Sequence, residues 1–345
     1  MSLIPRTPIP EGAIRYNTDS NKMEVWIGDK WMIVSVSSPN LDGGARGFAA
    51  GGTTGPTGPG YTAGIDFYTI SNSGNAQDFA DLTRAKGNGV SGFASKTRGV
   101  AAGGFSPSGH YNTIDFITMS STADATDFGD LTANREGSMG LSSATRGISA
   151  GGFARPSGDA QASIDFMTIA SEGNALDFGD MQVAGNYGAG SASPTRGLLY
   201  SGYTPSPGAT LNRIEFITIA STGNATDFGD LIQGAYNTNG ASNSTRALAW
   251  GGTFPDTSTV TDTIEFITIA TTGNGVDFGD TTRGVSAPMA TASSTRSVCY
   301  GGNGGGDNII EYVQIATQGN AVDFGDTVGA SKYGGAGFSN GHGGL

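Results

Sequence analysis

Short stretches in which apolar and polar residues alternate recur about every fifty residues along this chain. One block has the form Ile-Asp/Glu-aromatic-x-Thr/Gln-Ile/Met, and its six copies begin at Ile65, Ile114, Ile164, Ile214, Ile264 and Ile310. An Asp-Phe-Gly-Asp-like block follows each copy and begins at Asp78, Asp127, Asp177, Asp227, Asp277 and Asp323. A unit of this length cannot bury its apolar face alone, so the pattern predicts an array of stacked repeats.

The fourth repeat predicts four short strands. Residues 185–193 contain few large side chains, residues 197–203 and 213–220 are rich in aliphatic and aromatic residues, and residues 225–231 surround Phe228. Turn residues separate these stretches, as in Thr222-Gly223-Asn224. Four strands in about fifty residues is the content of one blade of a β-propeller. Because no stretch has a helical period, the fold class is predicted to be all-β.

The two ends of the repeated region are predicted to complete one blade together. Residues 333–339 form an additional strand of small residues after the last Asp-Phe-Gly-Asp block, whereas the first repeat begins at residues 45–52 without one. Pairing these ends would remove the sheet edges that an open array exposes. We therefore predict a six-bladed β-propeller of four-stranded antiparallel blades over residues 41–345, with small residues in the crowded strands along its axis.

Residues 1–40 lie outside the repeat and are predicted to form a separate docking or oligomerisation module. Residues 12–34 alternate in three stretches separated by turn residues, which predicts a small three-stranded meander. Its aromatic residues are Tyr16, Trp26 and Trp31. So short a segment cannot enclose a core, and its aromatic face should pack on another protein, on sister copies or on its own propeller.

Composition argues against several functional classes. The chain carries 18 Lys and Arg against 30 Asp and Glu, a net charge of −12 that disfavours nucleic acid and anionic membranes as partners. No apolar stretch is long enough for membrane insertion. The single cysteine, Cys299, excludes an intrachain disulfide, and two histidines are too few for a histidine metal cluster. A Ser-His-Asp triad is not expected either, because His110 lies in a loop beside Tyr111 and His342 lies in a Gly-rich tail. We therefore expect no catalytic residues, no metal and no cofactor.

A Thr-Arg pair recurs at one turn of the repeat, with its arginine at Arg98, Arg146, Arg196, Arg246 and Arg296. Repetition at one position favours a structural role over a binding role. Each guanidinium is predicted to bridge a carboxylate or neighbouring carbonyl groups.

Variable loops on a rigid scaffold are the usual place for binding. In an up-and-down blade, the loops after the second strand and the loops between blades emerge on the same face. The candidate ligand or partner face consists of Arg84, Lys86, Tyr111, Arg135, Tyr236, Arg283 and Lys332.

A Gly-Gly pair ends the second strand of five repeats, at Gly51-Gly52, Gly103-Gly104, Gly151-Gly152, Gly251-Gly252 and Gly301-Gly302. With the Asp/Glu-aromatic strand that follows, this pattern resembles the kelch repeat, although Phe replaces the usual Trp of the last strand and the fourth repeat has Ser201-Gly202. The repeat wording of residues 214–230 is also similar to repeats in virion proteins of marine tailed phages, notably cyanophages, and the meander resembles short attachment modules of phage tail and fibre proteins.

These resemblances imply a non-enzymatic virion structural protein of the tail, fibre, neck or capsid. Residues 1–40 would bind other virion proteins, and the propeller would be displayed for a host-surface glycan or receptor. The implied location is the phage particle, with the host cytoplasm during assembly, and homo-oligomers are a further candidate assembly. Two alternatives stay open: a propeller-type carbohydrate-active enzyme, lyase or sialidase-like, that acts on host polysaccharide, and a cellular kelch-type adaptor.

Overall fold

The computed structural model describes residues 9–18, 22–33, 45–55, 60–154, 158–200, 202–205, 208–254, 258–303 and 308–345. Contacts divide the chain into two compact units, Met1–Gly43 and Gly44–Leu345. All regular structure in the described ranges is β-strand, which confirms the all-β prediction. None of these ranges contains a helix of the length and apolarity required to cross a membrane.

The first unit contains one three-stranded antiparallel sheet, with strands Ile14–Asn17, Lys22–Ile27 and Lys30–Ile33. This confirms the three strands of the meander, except that Val34 lies outside the described residues. Tyr16 is paired with Met23, and Trp26 with Trp31. Because paired residues share a face and successive residues alternate between faces, Tyr16 lies on the face opposite both tryptophans. The expectation of a single aromatic face was therefore wrong.

The two faces of the meander differ in their side-chain contacts. On the tryptophan face the two indole rings meet edge to face at 5.3 Å, and the Arg15 guanidinium lies 4.2 Å from the Trp31 ring and forms a 2.8 Å ion pair with Glu24. The opposite face is exposed and mostly apolar: it carries Ile14, Tyr16, Met23, Ile27 and Met32, with Lys30 paired to Ile27 at its edge.

The second unit contains six four-stranded antiparallel sheets, which we number I to VI from the amino-terminal end. The strands of each sheet, from the inner to the outer edge, are as follows. Sheet I consists of Ala336–Ser339, Arg46–Ala50, Gly64–Thr69 and Gln77–Asp81. Sheet II consists of Ser91–Ala94, Arg98–Ala102, Thr113–Thr118 and Thr126–Asp130. Sheet III consists of Met139–Ser142, Arg146–Ala150, Ser163–Thr168 and Leu176–Asp180.

The remaining three sheets follow the same order. Sheet IV consists of Ala189–Ala192, Arg196–Tyr200, Arg213–Thr218 and Thr226–Asp230. Sheet V consists of Asn239–Ser242, Arg246–Trp250, Thr263–Thr268 and Val276–Asp280. Sheet VI consists of Met289–Ala292, Arg296–Tyr300, Ile309–Gln314 and Val322–Asp326.

Short two-residue strands form small ladders in the loops that follow the second strands, and two of these ladders include a strand from the linker ahead of an inner strand. They are Thr53–Thr54 with Gly60–Tyr61 and Lys332–Tyr333, Phe105–Ser106 with Gly109–His110, Arg135–Glu136 with Phe153–Ala154 and Asp159–Ala160, Tyr203–Thr204 with Ala209–Thr210, and Thr253–Phe254 with Thr259–Val260.

Sheet I joins the two ends of the repeated region. Its inner strand, Ala336–Ser339, is antiparallel to Arg46–Ala50, and Phe338 lies opposite Phe48. The two phenyl rings stack with their centroids 5.5 Å apart. The predicted pairing between these strands is confirmed.

The inner strands follow one another in cyclic order. Each inner strand contacts that of the next sheet, and the inner strand of sheet VI contacts that of sheet I. A Cβ atom placed on Gly140 would lie only 2.5 Å from the carbonyl oxygen of Gly92 in the neighbouring sheet, and one on Gly337 would lie 2.5 Å from that of Ala290. Small residues are therefore required where the inner strands meet.

The hydrophobic core is divided in the same cyclic way. Six clusters of buried side chains each combine residues from two consecutive sheets, and one of them joins sheet VI to sheet I. In that cluster the Tyr68 and Tyr300 rings stack at 5.9 Å. A sheet buries its apolar side chains only with both neighbours present, as the repeat length predicts.

Six backbone groups form a ring of hydrogen bonds around the axis. The ring residues, one ahead of each inner strand, have φ between 51° and 67° and are Asn88, Gly137, Tyr187, Asn237, Ala287 and Gly334. The amide of each of the last five donates to the carbonyl of the preceding ring residue at 2.6 to 3.0 Å, and the Gly89 amide donates to Gly334 at 2.7 Å. We call this closed circuit the axial ring.

The recurrent arginines connect consecutive sheets. Nη1 of each donates to a carbonyl at the end of the third strand of the next sheet, in the pairs Arg46–Met119, Arg98–Ile169, Arg146–Ile219, Arg196–Ile269, Arg246–Ile315 and Arg296–Ile70, at 2.8 to 3.2 Å. The guanidinium also lies over an aromatic ring of its own sheet. The predicted bridging of carbonyl groups is confirmed, and Arg46 supplies a sixth copy.

The Gly-Asn turns make a further link between sheets. In each turn a side-chain oxygen accepts a hydrogen bond of 3.0 to 3.1 Å from the last backbone amide of the fourth strand of the preceding sheet. The accepting residues are Asn75, Asp124, Asn174, Asn224, Asn274 and Asn320. Asn75 again joins sheet I to sheet VI through Asp326.

We expect Arg196→Ala to lower the free energy of unfolding by about 1–3 kcal/mol, because two charge-assisted hydrogen bonds to Ile269 and Ala270 are lost. Arg196→Lys should recover only part of this loss, since a lysine lacks the planar fork. Chemical denaturation monitored by circular dichroism measures the change. The exposed Lys96→Ala variant is the control, and an equal loss in that variant would contradict the inter-sheet role.

Candidate functional site

Three members of the predicted binding face are buried. Lys86 is 0% exposed and lies 3.1 Å from Asp115, Arg135 is 1% exposed and lies 3.2 Å from Asp165, and Lys332 is 6% exposed and lies 2.7 Å from Asp66. The structure therefore corrects the expectation that these cations are presented to a ligand. Their charges are used to hold the segment before an inner strand against the third strand of the same sheet.

The carboxylate of each repeated Ile-Asp/Glu block holds the linker ahead of the inner strand, and it does so differently in the two halves of the repeated region. Sheets I to III have an aspartate that pairs with the buried cation just described. In sheets IV to VI, Gly185, Ala235 and Val285 occupy the equivalent positions and offer no charge. There the block has a longer glutamate, which accepts the backbone amides of Gln182, Ile232 and Thr282 at 2.7 to 2.8 Å.

Glu265 is the most isolated of these carboxylates. It is 7% exposed and accepts the Ile232 amide at 2.8 Å, but forms no ion pair with any side chain in the described ranges. Burial raises its pKa above the ordinary value. A carboxyl group in this setting is a structural anchor for the linker between sheets IV and V.

Of the other four predicted face residues, three lie at or near the surface. Arg84 is exposed and stacks on Tyr111 with 4.9 Å between the guanidinium carbon and the ring centroid. Tyr236 is partly exposed and lies 6.0 Å from the Tyr203 ring. Arg283 is mostly buried, donates to the Gly301 carbonyl at 3.0 Å and lies 3.8 Å from Glu311. The seven predicted residues therefore do not form one exposed cluster.

The inner strands surround a cavity of about 250 Å³. Residues from all six sheets line it, mainly glycine, alanine and serine. The axial ring lies at one end, together with the side chains of Tyr187, Tyr236, Asn237 and Tyr333. We call this end the mouth. Of the described residues that line the cavity, none is Asp, Glu, Lys, Arg or Cys.

His342 closes the other end of the cavity. Its Nε2–H donates to the Ala94 carbonyl at 2.9 Å, and its Nδ1 accepts the Gly344 amide at 3.1 Å. These partners require the neutral ring with the proton on Nε2, because a carbonyl only accepts and an amide only donates. The Gly343 amide donates to the backbone carbonyl of Ser242, on the far side of the axis, at 2.7 Å. Residues 341–345 thus cross the axis.

Burial lowers the pKa of His342 to about 4, while its hydrogen bond to Ala94 acts in the opposite direction. Protonation of Nδ1 would place a donor against the Gly344 amide. The neutral form is therefore the one that keeps this end of the cavity closed.

The cavity was not predicted from the sequence, and neither were the positions of Tyr187 and Asn237 at its mouth or the role of His342. One signal was present: aligned repeats place Asn or Gly at four of the six axial ring positions, and a tyrosine among them is unusual. The described residues contain no group of three or more His, Cys, Asp or Glu side chains positioned to hold a metal ion.

No protein-family model matches the chain, and comparison with curated proteins gives no match either.

We expect Glu265→Gln to stabilise the protein increasingly as pH rises above 4.5. A carboxyl whose pKa is raised by folding contributes stability that is complete below its unfolded pKa and is lost as pH rises through its folded pKa. The glutamine variant is free of this loss. Unfolding free energies measured between pH 4 and 8 test the difference from the unsubstituted protein.

Asp115→Asn is the matched control, because it leaves the Lys86 ammonium buried without its counter-charge. It should cost about 3–5 kcal/mol at neutral pH. Equal effects of the two substitutions would contradict the distinction between paired and unpaired carboxylates.

For His342, stability should be lost as pH falls from 6.5 towards 4. The folded pKa is lowered to about 4, so the contribution is complete above the unfolded pKa of 6.5 and is lost as pH falls through the folded value. The slope relative to His342→Gln, which does not titrate, should reach up to about 1.4 kcal/mol per pH unit. Parallel pH profiles of the two proteins would show that the histidine has no such role.

Proposed function

We propose that Gly44–Leu345 forms a six-bladed, kelch-like β-propeller closed by the strand Ala336–Ser339. Six four-stranded sheets, six shared cores and the cyclic order of inner strands support this fold. The axial ring supports the closure independently, because its hydrogen bonds run through every sheet.

On this scaffold the chain acts as a binding protein and not as an enzyme. The observation that carries this proposal is the use of the charged side chains: those repeated in every sheet hold sheets and linkers together, whereas the cavity is lined without charge among its described residues. Most glycoside hydrolases use a pair of carboxylates, and the lyase or sialidase-like alternative would need carboxylates that converge with tyrosine or arginine in one pocket. The described lining of the cavity contains tyrosines but neither a carboxylate nor an arginine, which supports recognition over that alternative.

The biological setting we propose is a phage particle, in agreement with the resemblance of the repeats and meander to virion proteins. The meander supports an attachment role, because its apolar face leaves Ile14 64%, Tyr16 55% and Ile27 50% exposed. A sheet face of this kind is stabilised when another surface covers it. Other virion proteins are the proposed partners of residues 1–40, and the propeller mouth is the proposed surface for a host glycan or receptor.

We expect Tyr16→Ser combined with Met23→Ser to reduce incorporation of the protein into particles at least about tenfold, since two large apolar contacts are lost. Immunoblots of density-purified particles measure incorporation. Asp29→Ser, at an exposed turn of the same sheet, is the control. Tryptophan fluorescence of Trp26 and Trp31 verifies that the sheet remains folded. Full incorporation of the double variant, or absence of the unsubstituted protein from particles, would refute the attachment role.

A further inference from the structure

We infer that the axial cavity binds one neutral sugar residue, with the Tyr187 ring as its stacking platform at the mouth. This inference rests on the proposed binding function and gives that function a ligand class. The backbone of Tyr187, the charge of the cavity and its size lead to this assignment separately.

The backbone of Tyr187 is in a conformation that a tyrosine adopts only at a cost. Its φ is 53°, in the left-handed region that disfavours bulky L-residues. The axial ring imposes this conformation on all six of its members, and Gly137 and Gly334 adopt it without strain. Asn88 and Asn237 tolerate it well. Ala287 shares the conformation with a small side chain, so Tyr187 is the one bulky residue of the axial ring. Glycine or asparagine would suit the backbone at position 187 better, which points to a use for the tyrosine side chain.

The position of that side chain indicates what it supplies. A Cβ atom on Gly137 would lie 2.8 Å from the Tyr187 ring, so the ring lies directly over the backbone at the mouth. Gly334 is three places away in the six-membered axial ring, which sets Tyr333 on the opposite side of the mouth. Tyr187 and Tyr333 both line the cavity, and aromatic side chains are suited to pack on the apolar face of a sugar ring.

The polar groups of the mouth favour a ligand with hydroxyl groups and no charge. Asn237 lines the mouth, and its side-chain amide makes no hydrogen bond with the described residues, whereas its backbone amide belongs to the axial ring. A free amide offers both donors and an acceptor, which match neighbouring hydroxyls. An ionised ligand would lose its hydration without meeting a counter-charge, because the described lining carries none and His342 is neutral above about pH 4.

The cavity has room for a small ligand only. Its volume of about 250 Å³ lies below the range of about 300–1,000 Å³ that is typical of sites for drug-sized ligands. Residues 341–345 cross the axis at the far end, so a polymer cannot pass through. The ligand must therefore enter from the mouth, either as a free monosaccharide or as the terminal residue of a glycan.

Isothermal titration calorimetry of the full chain tests the assignment with a panel of neutral hexoses, neutral N-acetylhexosamines, their methyl glycosides, sialic acid and glucuronic acid. We expect at least one neutral sugar to bind at least tenfold more tightly than both acidic sugars. Equal binding of the methyl glycoside would identify a terminal glycan residue, whereas its loss would identify a free monosaccharide. Preference for an acidic sugar, or binding of none of them, would overturn the inference.

Tyr187→Asn is the informative variant, because asparagine suits the axial ring but cannot stack. It should lower the affinity for the bound sugar at least tenfold while its thermal midpoint stays within about 2 °C of the unsubstituted protein. Tyr187→Phe retains the ring and should bind within about threefold. Ser258→Asn makes the same kind of exchange at a positive φ of 52° outside the cavity lining and should leave affinity unchanged.

Unchanged affinity in Tyr187→Asn would refute the role of this ring in binding. The outcome is separable from the attachment role: particles that contain the protein, with no sugar bound in the cavity, would leave the proposed virion role intact. If the protein bound a sugar but were absent from particles, the sugar-binding inference would stand and the virion role would fail.

Discussion

The meeting of six backbones at one axis is the constraint on which the rest of this structure depends. The inner strands approach so closely that a Cβ atom on Gly140 would lie 2.5 Å from the Gly92 carbonyl. Ahead of these strands, backbone amides donate to the carbonyl groups of the neighbouring ring residues and so form the axial ring. Left-handed φ values at all six ring positions follow from that arrangement. The inner strand of sheet I, which comes from residues 336–339, is needed for the same reason, because without it Gly89 would lose the Gly334 carbonyl as its partner.

Away from the axis the sheets diverge, and longer side chains take over their connection. Arginine reaches across to the third strand of the next sheet, and the asparagine of the Gly-Asn turn reaches back to the fourth strand of the preceding one. Buried carboxylates fix the linkers, either with a cation from the linker or directly through its amides. Where the linker carries a lysine or arginine, the third strand has an aspartate that pairs with it. Where the linker has a small residue instead, the third strand has a glutamate, which is longer and accepts a linker amide directly. In the proposed function these repeated groups are scaffold, and recognition belongs to side chains that occur once.

Tyr187 and the apolar meander face are two places where the structure departs from what folding alone would favour. One carries backbone strain, and the other exposes large apolar side chains. Features of this kind are retained when a partner offsets their cost. They lie in different units of the chain, so the proposed attachment and the proposed sugar binding depend on separate residues.

The sequence by itself determined the all-β class, the number of repeated four-stranded sheets, the pairing of residues 336–339 with residues 46–50 and the bridging role of the arginines. Each of these follows from local period and from repetition, which are properties of the one-dimensional chain. Only the tertiary structure decided which neighbouring side chains are buried. Arg84 and Lys86 are two residues apart, yet Arg84 is exposed and Lys86 is buried beside Asp115, because only one side of this segment faces the core. The same reason holds for the cavity and its mouth, since residues about fifty positions apart become neighbours there only when the inner strands converge on the axis.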